Sequence, residues 1–141
     1  MKLVYLSDKF YNKYKGCKEI LEKKSRPYAC VTIVIGQHLV AIPIRHHVGH
    51  DHSLRTVGDS GLDYTKAVIV SEPGFIASGK PQIETAEFQI IKTQEDRIVR
   101  EMHRYIKLYM KAKEHANNPH YAKILQYSTL QYFEEYLDGF K

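Results

Sequence analysis

Four histidines and two arginines fall within residues 45–55: Arg45, His46, His47, His50, His52 and Arg55, with Asp51 among them. Histidine, with a reference pKa near ~6.5, serves as acid or base at neutral pH. Arginine clamps two phosphate oxygens at once. Cleavage of RNA by its own 2′-hydroxyl needs a base for that proton and an acid for the leaving 5′-oxygen. It also needs a cation for the charge that builds on the phosphate. The segment holds all three without a metal. Two other readings use the same residues. His47 and His50, or His50 and His52 with Asp51 assisting, are zinc-ligand types, although neither an HExxH pattern nor a cysteine pair accompanies them. The other is a polar surface loop that is merely rich in histidine.

Two further clusters bear on the same chemistry. Gly61-Leu62-Asp63-Tyr64-Thr65-Lys66 leads into an apolar run. There Lys66 could meet a phosphate, Thr65 could donate to it and Tyr64 could stack on a base. Asp63 could orient a histidine or cap a turn. A turn with a solvated lysine accounts for the same residues. Arg26-Pro27-Tyr28 opens the first strand of a hairpin that ends at Ile44-Arg45. The start of one hairpin strand lies beside the end of the other, so Arg26 and Tyr28 are expected near Arg45 and His46.

These residues need a scaffold. Residues 3–6 read as a strand, and Ser7-Asp8 caps a short helix to about Gly16 with Phe10 and Tyr14 on one face. Residues 17–25 give a helical turn and a loop. Residues 28–35 and 38–44 form a hairpin around Gly36-Gln37, and Pro43 implies an edge or a bulge. Residues 45–62 read as a long polar loop, a length that is usually functional or mobile. Residues 66–70 are a strand, Glu72-Pro73-Gly74 breaks the chain, and a further strand is expected around 87–91. Thr93-Gln94-Glu95-Asp96 has the pattern of a capping box. Ile98, Met102, Tyr105, Ile106, Tyr109 and Met110 then recur at helical spacing through about Ala116. Asn118-Pro119 stops one helix and starts another. Ile124, Leu125, Leu130, Phe133 and Leu137 supply its apolar stripe, and Gly139 ends it. The expected architecture is one α+β domain over 1–141, a small twisted antiparallel sheet or half-open barrel with C-terminal helices packed on it.

Composition and charge suit contact with single-stranded RNA. The 141 residues are enough for one core and too few for two comfortable domains. Residues 1–55 carry a net +6, residues 56–91 a net −3 and residues 92–141 a net +2. Eleven tyrosines without tryptophan suit single-stranded RNA, whose backbone pairs with cations and whose bases stack on aromatic faces. Most of the C-terminal tyrosines read as helical core. Cys17 and Cys30 do not make a disulfide framework. Neither a signal-like leader nor a membrane-length run is visible, so a cytoplasmic location is expected.

MKLVYLSDKF, RPYACVTIVI, AIPIRHHVGH, GLDYTKAVIV, KPQIETAEF and NPHYAKILQYSTLQYFEEYL, in that order, span nearly the whole chain. Together they resemble the type III toxin family, the ToxN/AbiQ group, and most closely its CptN/TenpN branch. The resemblance implies a barrel-like fold similar to the MazF and Kid toxins, elaborated with helices. It implies an endoribonuclease that uses neither metal nor cofactor, cuts cellular RNA and leaves a 2′,3′-cyclic phosphate. Its partner would be a repeat RNA antitoxin, folded as pseudoknots and cut by the toxin itself, closing with it into a toxin–RNA hetero-oligomer. The family's lysine at the opening of the first hairpin strand falls on Arg26. Its Thr-Ser pair falls on Arg45 and His46, after Ile42-Pro43-Ile44. Its lysine two residues beyond falls on Val48, so that cation is missing, and the Arg-His-His run looks like the variant of the CptN/TenpN branch. On this reading His46 or His47 is the base, the other or His50 is the acid, and Arg45 and Arg26 hold the phosphate. Tyr28, Arg55, Tyr64, Thr65 and Lys66 would hold flanking nucleotides, and Asp63 would orient a histidine. A non-catalytic RNA-binding module is the alternative.

Overall fold

A computed structural model of the protein describes residues 1–21 and 28–140. Arg26 lies outside the described residues. The strands are β1 (Lys2–Tyr5), β2 (Ala29–Ile35), β3 (His38–Arg45), β4 (Ser53–Arg55), β5 (Gly61–Asp63) and β6 (Val68–Val70). The helices are α1 (Asp8–Lys13), α2 (Thr85–Thr93), α3 (Glu95–Glu114) and α4 (Pro119–Tyr127).

The β2–β3 hairpin is the centre of the sheet. Its register runs from Ile35 opposite His38 to Cys30 opposite Pro43, and Gly36 supplies the positive φ that its two-residue turn requires. β1 adds antiparallel to β2, with Val4 opposite Cys30. The other flank of β3 has two partners, β6 along residues 39–41 and β5 at residues 44 and 45. Pro43 therefore sits in a central strand, not at an edge or bulge. It falls in the interval between the two partners, where its missing N–H leaves no ladder bond unmade. β4 pairs with β5, and the path β1-β2-β3-β5-β4 stays open. The fold is α+β, with a six-stranded antiparallel sheet that does not close into a barrel.

Several local expectations change. The polar stretch 45–62 is not one loop, because β4 and β5 form a small hairpin within it. Leu54 and Leu62 face each other there and are both buried. One leucine in each three-residue strand is too little for alternation to stand out. The strand expected around 87–91 is the helix α2. Its buried residues Glu87 and Ile91 lie four apart, the spacing of a helical face. Thr56 Oγ1 donates to the Glu87 carboxylate at 2.5 Å, which is why a charged residue stands on that buried face. No capping box forms at Thr93. That residue ends α2, and its hydroxyl donates to the Ile90 carbonyl instead. The last apolar stripe is not one helix to Gly139. α4 stops at Ser128, and two 3-10 segments follow, Thr129–Tyr132 and Glu134–Phe140. Ser128 and Thr129 direct their hydroxyls to backbone groups, which competes with helix continuation.

α1 forms as expected, with Ser7 Oγ accepting from the Phe10 N–H. Phe10 sits 5.5 Å from Phe75 edge-on and 4.7 Å from Tyr14, which reaches Phe133 at 5.1 Å. This aromatic cluster ties the first helix to the C-terminal segment. α3 buries Ile98, Met102, Tyr105, Ile106 and Tyr109 and packs against β2 and α4.

Gly61 faces both Arg45 on β3 and Arg55 on β4. A Cβ at this position would lie 2.7 Å from the Leu54 carbonyl oxygen, a backbone atom that cannot swing aside. Gly61→Ala is therefore expected to push β4 outward and lower stability by about 1–3 kcal/mol. A urea midpoint equal to wild type, with the slope unchanged, would refute this.

Candidate active site

The register of β3 on β5 decides where the chemistry sits. Arg45 lies opposite Gly61, and side chains two apart share a face, so Arg45 and Asp63 project to the same side of the sheet. Asp63 is fully buried. Its carboxylate accepts from Arg45 Nη1 at 2.7 Å, His50 Nε2 at 3.2 Å, Thr65 N–H at 3.0 Å and Thr65 Oγ1 at 2.6 Å. Burial alone would raise its pKa. The hydrogen bonds from His50, Thr65 and Arg45 outweigh burial and hold the carboxyl down at about 2.

His50 is engaged at both ring nitrogens. The His52 backbone N–H donates to Nδ1 at 3.1 Å, so Nδ1 must be unprotonated and Nε2 carries the hydrogen given to Asp63. His50 thus fixes the loop and leaves no nitrogen for a substrate.

Beside this carboxylate lies a cleft of about 440 Å³. Arg45, His50 and His52 line one side, and Thr65 and Lys66 lie at the turn that follows β5. α4 supplies the facing wall through His120, Lys123 and Tyr127, with Tyr105 of α3 beneath. Asn118 Oδ1 accepts from the His120 N–H at 2.8 Å and Pro119 occupies the first helical position, so the start of α4 is fixed. From that start His120, Lys123 and Tyr127 fall on one stripe. The far end of α4 is tied down as well. Lys66 Nζ donates to the Tyr127 carbonyl at 2.8 Å and to Glu19 Oε1 at 2.8 Å. Thr129 Oγ1 donates to the carbonyls of Thr65 and Ala67.

Two histidines in the cleft have ring nitrogens without a hydrogen-bond partner among the described residues, His52 and His120. His52 is half-buried against the Tyr105 ring, with centroids 5.5 Å apart. Its pKa is lowered, first by burial and then by the neighbouring His50. It is therefore neutral at neutral pH, as a proton acceptor must be. Burial pushes the Tyr105 phenol up to about 12, so that hydroxyl stays protonated.

The residues singled out from sequence divide accordingly. Arg45, His50, Thr65 and Lys66 meet at the cleft, and Asp63 has the contacts of an orienting carboxylate. His46 and His47 do not join them. One residue past Arg45 the strand turns its side chain to the other face, and there Ser60 Oγ meets His46 Nδ1 at 2.7 Å. His47 has φ 60° and pairs with Asp59 at the surface. Arg55 donates to the Val48 carbonyl at 2.9 Å. Tyr64 is buried, donates to Glu101 at 3.0 Å and lines a second hollow between β4 and α3 rather than this cleft. Tyr28 lines a separate small cavity with Tyr11, Cys30 and Lys66. His120, Lys123 and Tyr105 were missed from sequence. The stripe on α4 was readable once Asn118-Pro119 fixed its start, but nothing local says which cleft that stripe faces.

No protein-family model, curated protein or solved structure matches this chain. No helix of the described residues is long and apolar enough to cross a membrane. Among those residues, no three histidine, cysteine, aspartate or glutamate side chains converge as a metal site would require.

Asp63 is depressed from an ordinary 3.8 to about 2, so its contribution is present above pH 4 and is lost as pH falls towards 2. It amounts to about 2 kcal/mol. Asp63→Asn should flatten the loss of stability between roughly pH 5 and pH 2 seen by denaturant unfolding. An unchanged acid limb would show that the carboxylate is not held in this way.

Proposed function

We propose that this chain is a metal-independent endoribonuclease, with His52 and His120 as its base and acid. The observation that carries the reading is the pairing of these two histidines, uncommitted among the described residues, in one cleft with Arg45, Lys66 and Lys123. His52 takes the proton of the 2′-hydroxyl. The 2′-oxygen then bonds to phosphorus as the bond from phosphorus to the 5′-oxygen breaks. His120 delivers a proton to that leaving oxygen. The products are a 2′,3′-cyclic phosphate and a 5′-hydroxyl. Arg45 commits Nη1 to Asp63 and turns its remaining N–H groups to a phosphate oxygen, with Lys123 opposite.

The biological half of the proposal rests on the ordered resemblance to the ToxN/AbiQ group and its CptN/TenpN branch. On it, the chain is the toxin of a type III system acting on cytoplasmic RNA. A pseudoknotted repeat RNA inhibits it and is processed by it, within a toxin–RNA assembly. The same resemblance carries the proposal that the open sheet is the counterpart of the MazF and Kid barrel. The acid and base differ from those the Arg-His-His run suggests, because His46 and His47 face away from the cleft.

The test is cleavage of cellular RNA by purified protein in excess EDTA, with the new 3′ ends analysed. We expect cyclic phosphate ends. We expect His52→Ala and His120→Ala each to lower kcat by about 10²-fold or more, with RNA affinity within a few-fold of wild type. His46→Ala and His47→Ala should cleave at close to the wild-type rate. Because the His52 pKa is lowered, the acidic limb of kcat/KM should fall below the ordinary histidine range. Loss of cleavage in His46→Ala with His52→Ala fully active would overturn the assignment. Tight RNA binding without any cleavage would mark a binding module.

A further inference from the structure

A second concavity of about 320 Å³ lies between β4 and α3, within the size range of small-ligand sites. It shares His52 and Tyr105 with the cleft, so the two hollows meet along one wall. Its floor is apolar, from Tyr105 and the half-buried Leu108, and Ser53 adds a hydroxyl. Its charges are not equivalent. Glu101 is committed at both oxygens, to the Tyr64 hydroxyl at 3.0 Å and to Arg97 Nε at 2.8 Å. Asp51 sits exposed at the rim. Arg104 is exposed and has no hydrogen bond or ion pair among the described residues.

We propose that this groove binds the single-stranded RNA that flanks the phosphate held in the cleft, an inference that rests on the nuclease reading above. Single strands are gripped by cations along the backbone and by apolar and aromatic surfaces against the bases. The groove presents that combination beside the cleft, across His52 and Tyr105. Arg104 takes a phosphate, and a base lies over Leu108 and the edge of Tyr105. Asp51 repels a phosphate at its own rim and accepts from a base amino group, which directs the backbone towards Arg104. An arginine on a merely solvated helix face would border no hollow that shares His52 with the cleft. The groove therefore contributes affinity only for RNA long enough to leave the cleft.

The test compares binding of a trinucleotide and a decamer, both 2′-O-methylated so that neither can be cut, to the whole chain and to Arg104→Gln and Arg104→Lys. Arg104 has no partner to lose among the described residues, so the variants should fold, and unfolding midpoints check this. For Arg104→Gln we expect decamer affinity to fall about 5-fold and its log–log salt slope to shrink by about one. The trinucleotide should bind as to wild type, and Arg104→Lys should recover most of the loss. Unchanged decamer binding, or an equal loss for both lengths, overturns the proposal. If the length-dependent loss holds while the wild-type protein fails to cut the unmethylated decamer, the groove stands and the nuclease reading falls.

Discussion

The buried carboxylate of Asp63 is the constraint on which the site depends. An ionised carboxylate out of water costs several kcal/mol unless its oxygens are fully matched. Here the donors come from three segments: the end of β3, the loop before β4 and the turn after β5. Meeting that requirement aims Arg45, fixes His50 in one tautomer and closes the Tyr64–Lys66 turn. The turn then acts on α4. Thr65 donates to Asp63 through its hydroxyl and offers its carbonyl to Thr129, just past the end of the helix. One run of hydrogen bonds thus extends from the strand end to the wall that carries His120 and Lys123.

The same carboxylate sorts the histidines. His50 is the nearest to Asp63, and that contact is what removes it from proton transfer, because its second nitrogen is taken by the His52 N–H. His52 is then held by its backbone while its ring stays uncommitted against Tyr105. A rigid support beneath a free side chain is the arrangement that acid–base chemistry needs. His46 and His47 are adjacent to Arg45 in sequence and are directed elsewhere by strand alternation and by a positive φ.

What the sequence made legible follows from range. The β2–β3 hairpin, α1, α3 and the Asn118-Pro119 start of α4 depend on local patterning, and the structure has them within a residue or a few. The cluster at 45–55 and the turn at 63–66 were visible as chemistry. Their pairing was not, because Arg45 meets Asp63 through a register set by Leu54 and Leu62 in short strands that have almost no pattern. The helix at 85–93 was hidden because Ile90 and Ile91 suit a strand by propensity, and Thr56, far along the chain, is what satisfies Glu87 among the described residues. His120 and Lys123 share a helical stripe of α4, yet their place in the cleft is set by Thr129 and Lys66, over 50 residues away in the case of Lys66.

The charge balance of the cleft separates chemistry from affinity. Arg45 is matched by Asp63 and Lys66 by Glu19, leaving Lys123 as the lysine of the cleft with no ion pair among the described residues. A cleft with so little surplus charge does not draw in a polyanion by itself. What it offers is directed N–H groups at fixed positions, which in the proposed reaction would stabilise charge that develops more than charge already present. The surplus of the chain lies in residues 1–55 and on exposed positions such as Arg104. On the proposed nuclease reading, long-range attraction and the grip on flanking nucleotides would fall to those surfaces, since counterion release scales with phosphates neutralised wherever they are met. Substitutions inside the cleft should then act on turnover and those outside it on capture, a division that follows from which cations already have partners.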